Sequence, residues 1–244
     1  MKLSGNTILI TGGATGIGFA LAKQLIRHGN TIIICGRRED KLKQAKAQFP
    51  EIITSVCDLE LESERIDLAR WIADNYPGVN ILINNAGVQN GLSILSDIDI
   101  NRIRQEIEIN FVAPIHLSNL FVPLLEKCEN ASIINISSGL AFTPLAFLPV
   151  YCATKAAVHS FSLSLRHQLA KTSVRVFEIA PPIVDTELDK GARANRSQTS
   201  YGITADECAA LTIEALKNDV FEAGIGQAEN LRLKREEMFA VINH

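Results

Sequence analysis

No long run of basic residues appears in this chain, and 24 lysines and arginines are set against 27 acids, a net charge of −3. The electrostatic footprint of a nucleic-acid binder is therefore missing. No segment reaches about 18 uninterrupted apolar residues, which argues against a membrane span. The apolar stretch in "MKLSGNTILITGG" is too short for a signal peptide and leads straight into glycines. The five histidines form no H-E-x-x-H or comparable cluster, so no metal is expected. The five cysteines (Cys35, Cys57, Cys128, Cys152, Cys208) are odd in number, widely spaced and without a C-x-x-C. That suits a reducing compartment, by default the cytoplasm, better than a disulfide framework or a zinc site. Linkers, low-complexity tracts and internal repeats are also lacking, so residues 1–244 read as one domain.

Apolar residues make up 47% of the chain, enough to bury a sizeable core. Short β-branched runs alternate with longer helical patterns. The expected strands are Thr7–Ile10, Thr31–Cys35, Ile52–Val56, Asn80–Ile83, Ser132–Ile136 and Val174–Ile179. Several are apolar at nearly every position, as strands covered on both faces should be. Helices are expected at about 16–28, 38–48, 62–75, 100–127, 151–171 and 205–217. "VFEAGIG" supplies a further strand. Such alternation predicts a doubly wound parallel sheet whose ligand binds outside the carboxyl ends of the strands.

The loop after the first strand reads Thr11, Gly12, Gly13, Ala14, Thr15, Gly16, Ile17, Gly18. Glycines allow a tight turn and close approach of backbone to a pyrophosphate, and the helix that follows offers free N–H groups to the anion. After the second strand, Arg37 stands where a ribose-reading residue is expected. An acid there would accept from a 2′-hydroxyl, whereas Arg37 and Arg38 offer cations to a 2′-phosphate. NADP(H) is therefore favoured over NAD(H). Asp58, followed by Leu59, could accept from the adenine amino group or could cap the next helix. In "INNAGVQNG", Asn84 and Asn85 can tie loops together, while Ala86 and Gly87 let backbone lie against a cofactor.

"YCATK" places Tyr151 and Lys155 four residues apart, on one helix face. Such a pair arises by chance in roughly one chain of this kind in seven. Taken in order, T-G-x-x-x-G-x-G, N-N-A-G, Ser138, Tyr151 and Lys155 resemble the short-chain dehydrogenase/reductase family, in its branch of about 250 residues. The resemblance runs from about residue 6 to 190. "APPIVDTEL" and the closing "FAVIN" are similar to its bacterial DltE-like subgroup.

The family resemblance implies a single-domain Rossmann-type seven-stranded parallel sheet flanked by helices, a nicotinamide cofactor, and hydride transfer between a carbonyl and an alcohol carbon. It assigns Asn110, Ser138, Tyr151 and Lys155 to a catalytic tetrad. The gap to Tyr151 selects Ser138 over its neighbour Ser137. A tyrosine with an ordinary pKa of about 10 is a poor base near neutrality, and a neighbouring lysine cation favours its phenolate. Lys155 can also reach the nicotinamide ribose. Ser138 can hold the substrate oxygen. By resemblance alone, Asn110 orders a water that links Lys155 to solvent.

After the sixth strand the family's Pro-Gly becomes Pro181–Pro182, which removes an N–H donor. The Val184 backbone N–H and the Thr186 hydroxyl still suit the nicotinamide carboxamide. Segment 187–203 takes the place of the family's substrate lid. Phe142, Leu145, Phe147 and Leu148 suggest a partly apolar pocket. Ala153, Ala156, Ala157, Ser160 and Ser164 are small enough for helices to pair across a two-fold axis in a homodimer or homotetramer. A non-catalytic NADP(H)-binding regulator and an epimerase or dehydratase are the competing readings. An intact tetrad disfavours the first, and the glycine spacing disfavours the second.

Overall fold

The computed structural model describes residues 1–188 and 202–243. Its sheet strands are β1 (Thr7–Thr11), β2 (Thr31–Gly36), β3 (Ile53–Val56), β4 (Ile81–Asn84), β5 (Ala131–Ile136), β6 (Val174–Ala180) and, last in sequence, Glu222–Gly224. Two further two-residue strands, β7 (Val184–Asp185) and β8 (Ile203–Thr204), pair with each other, so the edge strand Glu222–Gly224 is β9. The seven sheet strands are all parallel, in the order β3-β2-β1-β4-β5-β6-β9. The chain moves outward from β1 to β3, then returns to place β4 on the other side of β1. The crevice at that reversal is where such sheets take ligands.

The helices are α1 (Gly16–Arg27), α2 (Glu39–Gln48), α3 (Glu62–Asn75), α4 (Ile100–Ile107), α5 (Ala113–Leu125), α6 (Pro149–Gln168), α7 (Ala205–Lys217), α8 (Ala228–Lys234) and α9 (Phe239–Ile242). Strand residues alternate faces, so each strand feeds two cores. Ile8, Ile10, Ile32 and Ile34 pack beneath α1, α2 and α7. Leu9, Ile33 and Leu82 pack beneath α3, α5 and α6. Burial on both faces explains why these strands read as continuous apolar runs.

Two features differ from the sequence expectation. The single helix foreseen at 100–127 contains a π-turn at Glu108–Val112 between α4 and α5. Pro114 has no N–H to return to the carbonyl of Asn110 four residues earlier, which disfavours regular α-geometry there. The whole run Ile100–Leu125 is long and apolar enough to cross a bilayer by length and composition. Here Ala113, Leu117, Phe121 and Leu125 are fully buried against the sheet. Second, residues 228–243 form α8, a 3-10 turn and α9, none of which the sequence reading foresaw. Thr143 Oγ1 donates to the carbonyls of Leu231 and Arg235 at 3.3 and 2.9 Å. Asn243 accepts from the Ala146 N–H at 2.6 Å and donates to the Pro144 carbonyl at 3.0 Å. This arm is thereby fastened over the loop that follows β5.

Candidate active site

A cleft of about 1310 Å³ opens along the carboxyl edge of the sheet. Small-ligand pockets span about 300–1,000 Å³, so there is room here for a dinucleotide and a second molecule. One half is lined by the loops after β1, β2, β3 and β4, including Gly12, Ala14, Thr15, Gly16, Ile17, Arg37, Arg38, Asp58, Leu59, Asn85, Ala86 and Gly87. The other half holds Ser138, Tyr151 and Lys155 together with Pro181, Val184 and Thr186. Of the expected site residues, Gly18 and Asn110 lie behind the wall instead.

The glycine loop is shaped for close approach. Gly12 has φ of +62°, and a Cβ there would stand 2.9 Å from the Cα of Ala86. A Cβ at Gly18 would meet the Gly12 carbonyl at 2.6 Å, so Gly18 permits the turn rather than facing the cleft. The Thr11 hydroxyl accepts from the N–H groups of Asn85 and Ala86, both at 3.0 Å. Asn85 Nδ2 returns to the carbonyls of Thr11 and Gly12. Thr15 precedes α1 without capping it through its side chain. The first-turn N–H groups of α1 therefore receive no side-chain cap from Thr15, and they suit a phosphate. The residues present fit a dinucleotide.

Arg37 is exposed and takes part in no ion pair among the described residues. Arg38 differs. It pairs with Glu187 at 2.8 Å, reaches Thr15 Oγ1 at 3.2 Å, and holds the Glu187 carboxyl below its usual range. Asp58 does not cap α3, whose N-cap is Leu61. Its Oδ1 accepts from the Glu60 N–H at 3.0 Å, fixing the turn that leads to the helix.

Pro149 starts α6 at a position that needs no N–H donor. Tyr151 and Lys155 then fall on its buried face, with Lys155 Nζ 5.7 Å from the Tyr151 ring centre. Lys155 donates to the Ile136 carbonyl at 2.9 Å. Burial lowers its pKa to about 8, opposed by the charges of Glu106 and Glu178. Ser138 Oγ accepts from the Leu140 N–H at 3.1 Å, which leaves its own proton available to donate into the cleft. Ser137 is committed elsewhere, donating to Glu178 Oε1 at 2.6 Å.

Asn110 is buried in the π-turn. Its amide exchanges two 2.8 Å bonds with the backbone of Val88 and donates to Thr154 Oγ1 at 3.2 Å. The side chain thus clamps the loop after β4 to α6. Helical periodicity cannot reveal this clamp, although Pro114, four residues on, was a usable signal of the irregular turn that carries it.

Sequence reading missed two sets of polar groups. Glu106 is buried and accepts from Asn90 N and Nδ2, both at 3.3 Å. His159, Glu178 and Glu222 bring ligand-type atoms within 4.8 Å of one another. Those atoms already form a network: His159 Nδ1 bonds Glu178 at 2.8 Å, and Arg232 pairs with Glu222 at 3.0 Å. They come from α6, β6 and β9, so no sequence spacing announces them. The five cysteines are free thiols.

A doubly wound parallel sheet with this glycine loop and this serine, tyrosine and lysine at one edge defines a class of dinucleotide-dependent oxidoreductases. The family model for short chain dehydrogenases matches residues 6–197, and the chain belongs to that family. It is 48% identical, over 95% of its length and 92% of the other's, to the oxidoreductase DltE of Bacillus subtilis (strain 168). In three dimensions it resembles a short chain dehydrogenase/reductase from Burkholderia phymatum in complex with NAD. The TM-score is 0.87 at 23% identity, covering 100% of this chain and 97% of that one. It also resembles a short chain dehydrogenase from Burkholderia cenocepacia J2315 in complex with NADP. There the TM-score is 0.83 at 24% identity, covering 96% and 94%.

Proposed function

We propose that this protein is an NADP(H)-dependent oxidoreductase that interconverts a carbonyl and a secondary or primary alcohol. The observation that carries the reading is the placement of Tyr151, Lys155 and Ser138 in one cleft with the glycine cradle. Bound there, a nicotinamide dinucleotide supplies or accepts the hydride. Ser138 donates to the substrate oxygen, and Tyr151 gives that oxygen its proton in reduction or takes it in oxidation. Lys155, as a buried cation, favours the phenolate and grips the nicotinamide ribose. Asn110 supports this by fixing Val88 and, as the family resemblance implies, by ordering a water that links Lys155 to solvent.

Arg37 supports the preference for NADP(H), because it presents a guanidinium with no ion pair among the described residues where the 2′-phosphate would lie. Asp58 and Leu59 bound the adenine end. Val184 and Thr186 stand at the carboxamide end, beside Pro181. The walls near Tyr151 include Leu140, Leu145, Phe147, Leu231, Met238 and Ile242, which suit a substrate with hydrocarbon flanks. The proposed lid at 187–203 falls largely on 189–201, outside the described residues. Residues 1–244 act as one unit in this reading. Ala153, Ala156, Ser160 and Ser164 stay exposed along α6, as a homodimer or homotetramer with close helix contact would require. Five free thiols suit a cytoplasmic setting.

The test follows nicotinamide absorbance against a panel of ketones, aldehydes and secondary alcohols, with NADPH and NADH side by side. Turnover that is faster with NADPH and lost in Tyr151→Phe is expected. Tight NADPH binding with no turnover on any substrate would make the protein a regulator instead.

A further inference from the structure

We infer that Glu178 is a positioning residue: a buried clamp, completed by Ser137 and His159, that holds Ser138 in register with Tyr151. This role rests on the reaction proposed above, in which Ser138 and Tyr151 meet the same substrate oxygen.

The two side chains ride on different elements. Ser138 follows β5 and caps the 3-10 turn Gly139–Ala141, whereas Tyr151 lies in the first turn of α6. Their relative placement depends on what ties that strand end to that helix. Glu178 lies on β6, paired with Asn135 of β5, and is fully buried. Its Oε1 receives the Ser137 hydroxyl at 2.6 Å, and its Oε2 bonds His159 Nδ1 at 2.8 Å. A carboxylate oxygen only accepts, so Nδ1 carries the proton of the second bond. Ser137 is the residue before Ser138. His159 stands one helical turn beyond Lys155 on α6, and Lys155 one turn beyond Tyr151.

The clamp also reaches the far side of Ser138. The His159 ring meets Phe142 edge-on, with centroids 4.7 Å apart. Ser138 is thus bracketed by Ser137, which Glu178 holds, and by Phe142, which His159 supports. The Lys155 bond to the Ile136 carbonyl fixes one point of α6 against β5. Asn135 Nδ2 donates to Ser162 Oγ at 2.9 Å and fixes another point farther along. Of these contacts, the Glu178 pair is the one that reaches the residues flanking Ser138.

Other roles for the cluster are already filled. The Ser137 hydroxyl donates to a carboxylate rather than to the imidazole, so His159 does not activate it as a nucleophile. Glu222 Oε2 stands off at 4.0 Å from His159 Nδ1, and its Oε1 is held by Arg232 at 3.0 Å. Both Glu178 oxygens are taken, and a buried polar network with its members satisfied is rigid.

Kinetics of carbonyl reduction in folded variants, with NADPH affinity measured alongside, test the clamp. Glu178→Leu keeps the bulk and removes both hydrogen bonds. Its kcat should fall about 10–100-fold while NADPH Kd stays within about twofold of wild type, because small misplacements at a reacting centre are costly. Glu178→Gln keeps an acceptor for Ser137 and offers an N–H to the other tautomer of His159. It should retain kcat within about threefold. Ser137→Ala and His159→Phe open opposite ends of one clamp, so the double variant should be no slower than the slower single one. A wild-type kcat in folded Glu178→Leu overturns the proposal, and so does an equal loss in Glu178→Gln. Should Glu178→Leu fail to fold, Ser137→Ala carries the test. Its kcat should fall about 10-fold, and a wild-type value is equally fatal. Crystal structures of the wild type and Ser137→Ala supply an arm that needs no turnover. The separation of Ser138 Oγ from Tyr151 Oη should change by about 0.5 Å or more, and an unchanged separation sinks the clamp. If the wild type reduces no carbonyl, the proposed reaction fails, and the two structures still judge Glu178.

Discussion

Lys155 holds its ammonium 5.7 Å from the centre of the Tyr151 ring, one helical turn away on the same buried face of α6. Its own hydrogen bond goes to the Ile136 carbonyl. Removing the phenol and removing the amine should have different signatures.

Tyr151→Phe deletes the proposed proton donor and leaves the helix face intact. Turnover should fall by about 10²–10⁴-fold, with NADPH affinity changed little. Steady-state kinetics and a fluorescence titration of NADPH measure the two effects separately.

Lys155→Met should change the pH dependence of stability. The folded-state pKa is about 8, below the ordinary 10.5. Between those values the folded chain binds fewer protons than the unfolded one, so the wild type gains stability as pH rises through that window. The variant lacks this gain. Its stability relative to wild type should be highest below pH 8 and should decline by on the order of 3 kcal/mol by pH 10.5. Urea unfolding of both proteins across the window reads the difference, and a constant difference would contradict the burial argument.

Arg37 and Glu187 should pull cofactor affinity in opposite directions. Arg37→Ala removes a cation from the expected 2′-phosphate position. NADPH should bind about 10–100-fold more weakly, with NADH nearly unaffected. Glu187 currently occupies Arg38 and also lies 3.5 Å from Lys41. Glu187→Gln frees both cations and should tighten NADPH a few-fold, an effect that weakens at high salt. Calorimetric titration of all three proteins with both dinucleotides checks the pattern.

His159 carries a pH-dependent share of stability. Its contact with Glu178 raises its pKa above 6.5 in the folded protein. That share is fully present below pH 6.5 and is lost as pH rises through the folded-state value. His159→Gln should therefore destabilise the protein more at pH 6 than at pH 9. Thermal melts at both pH values decide it.

The strands were legible because each buries both faces, which leaves continuous runs such as Ile32–Cys35 in the sequence. The glycine loop and the Tyr151–Lys155 spacing were legible because both are local. Glu106 was not, since nothing in "EIEIN" distinguishes its buried carboxylate from the more exposed Glu108. The π-turn was hidden by the smooth helical pattern on either side of it. Residues 228–243 escaped notice because their helices are short and their anchoring bonds join positions 88 to 99 residues apart.

The fastening of residues 228–243 over the loop after β5 has a consequence for the newborn chain. The phosphate cradle needs β1, α1 and the Asn85–Ala86 turn after β4, all within residues 7–86. One wall of the same cleft needs Leu231, Met238 and Ile242, synthesised about 150 residues later. A growing chain can therefore assemble the elements of the cradle well before those that close the cleft.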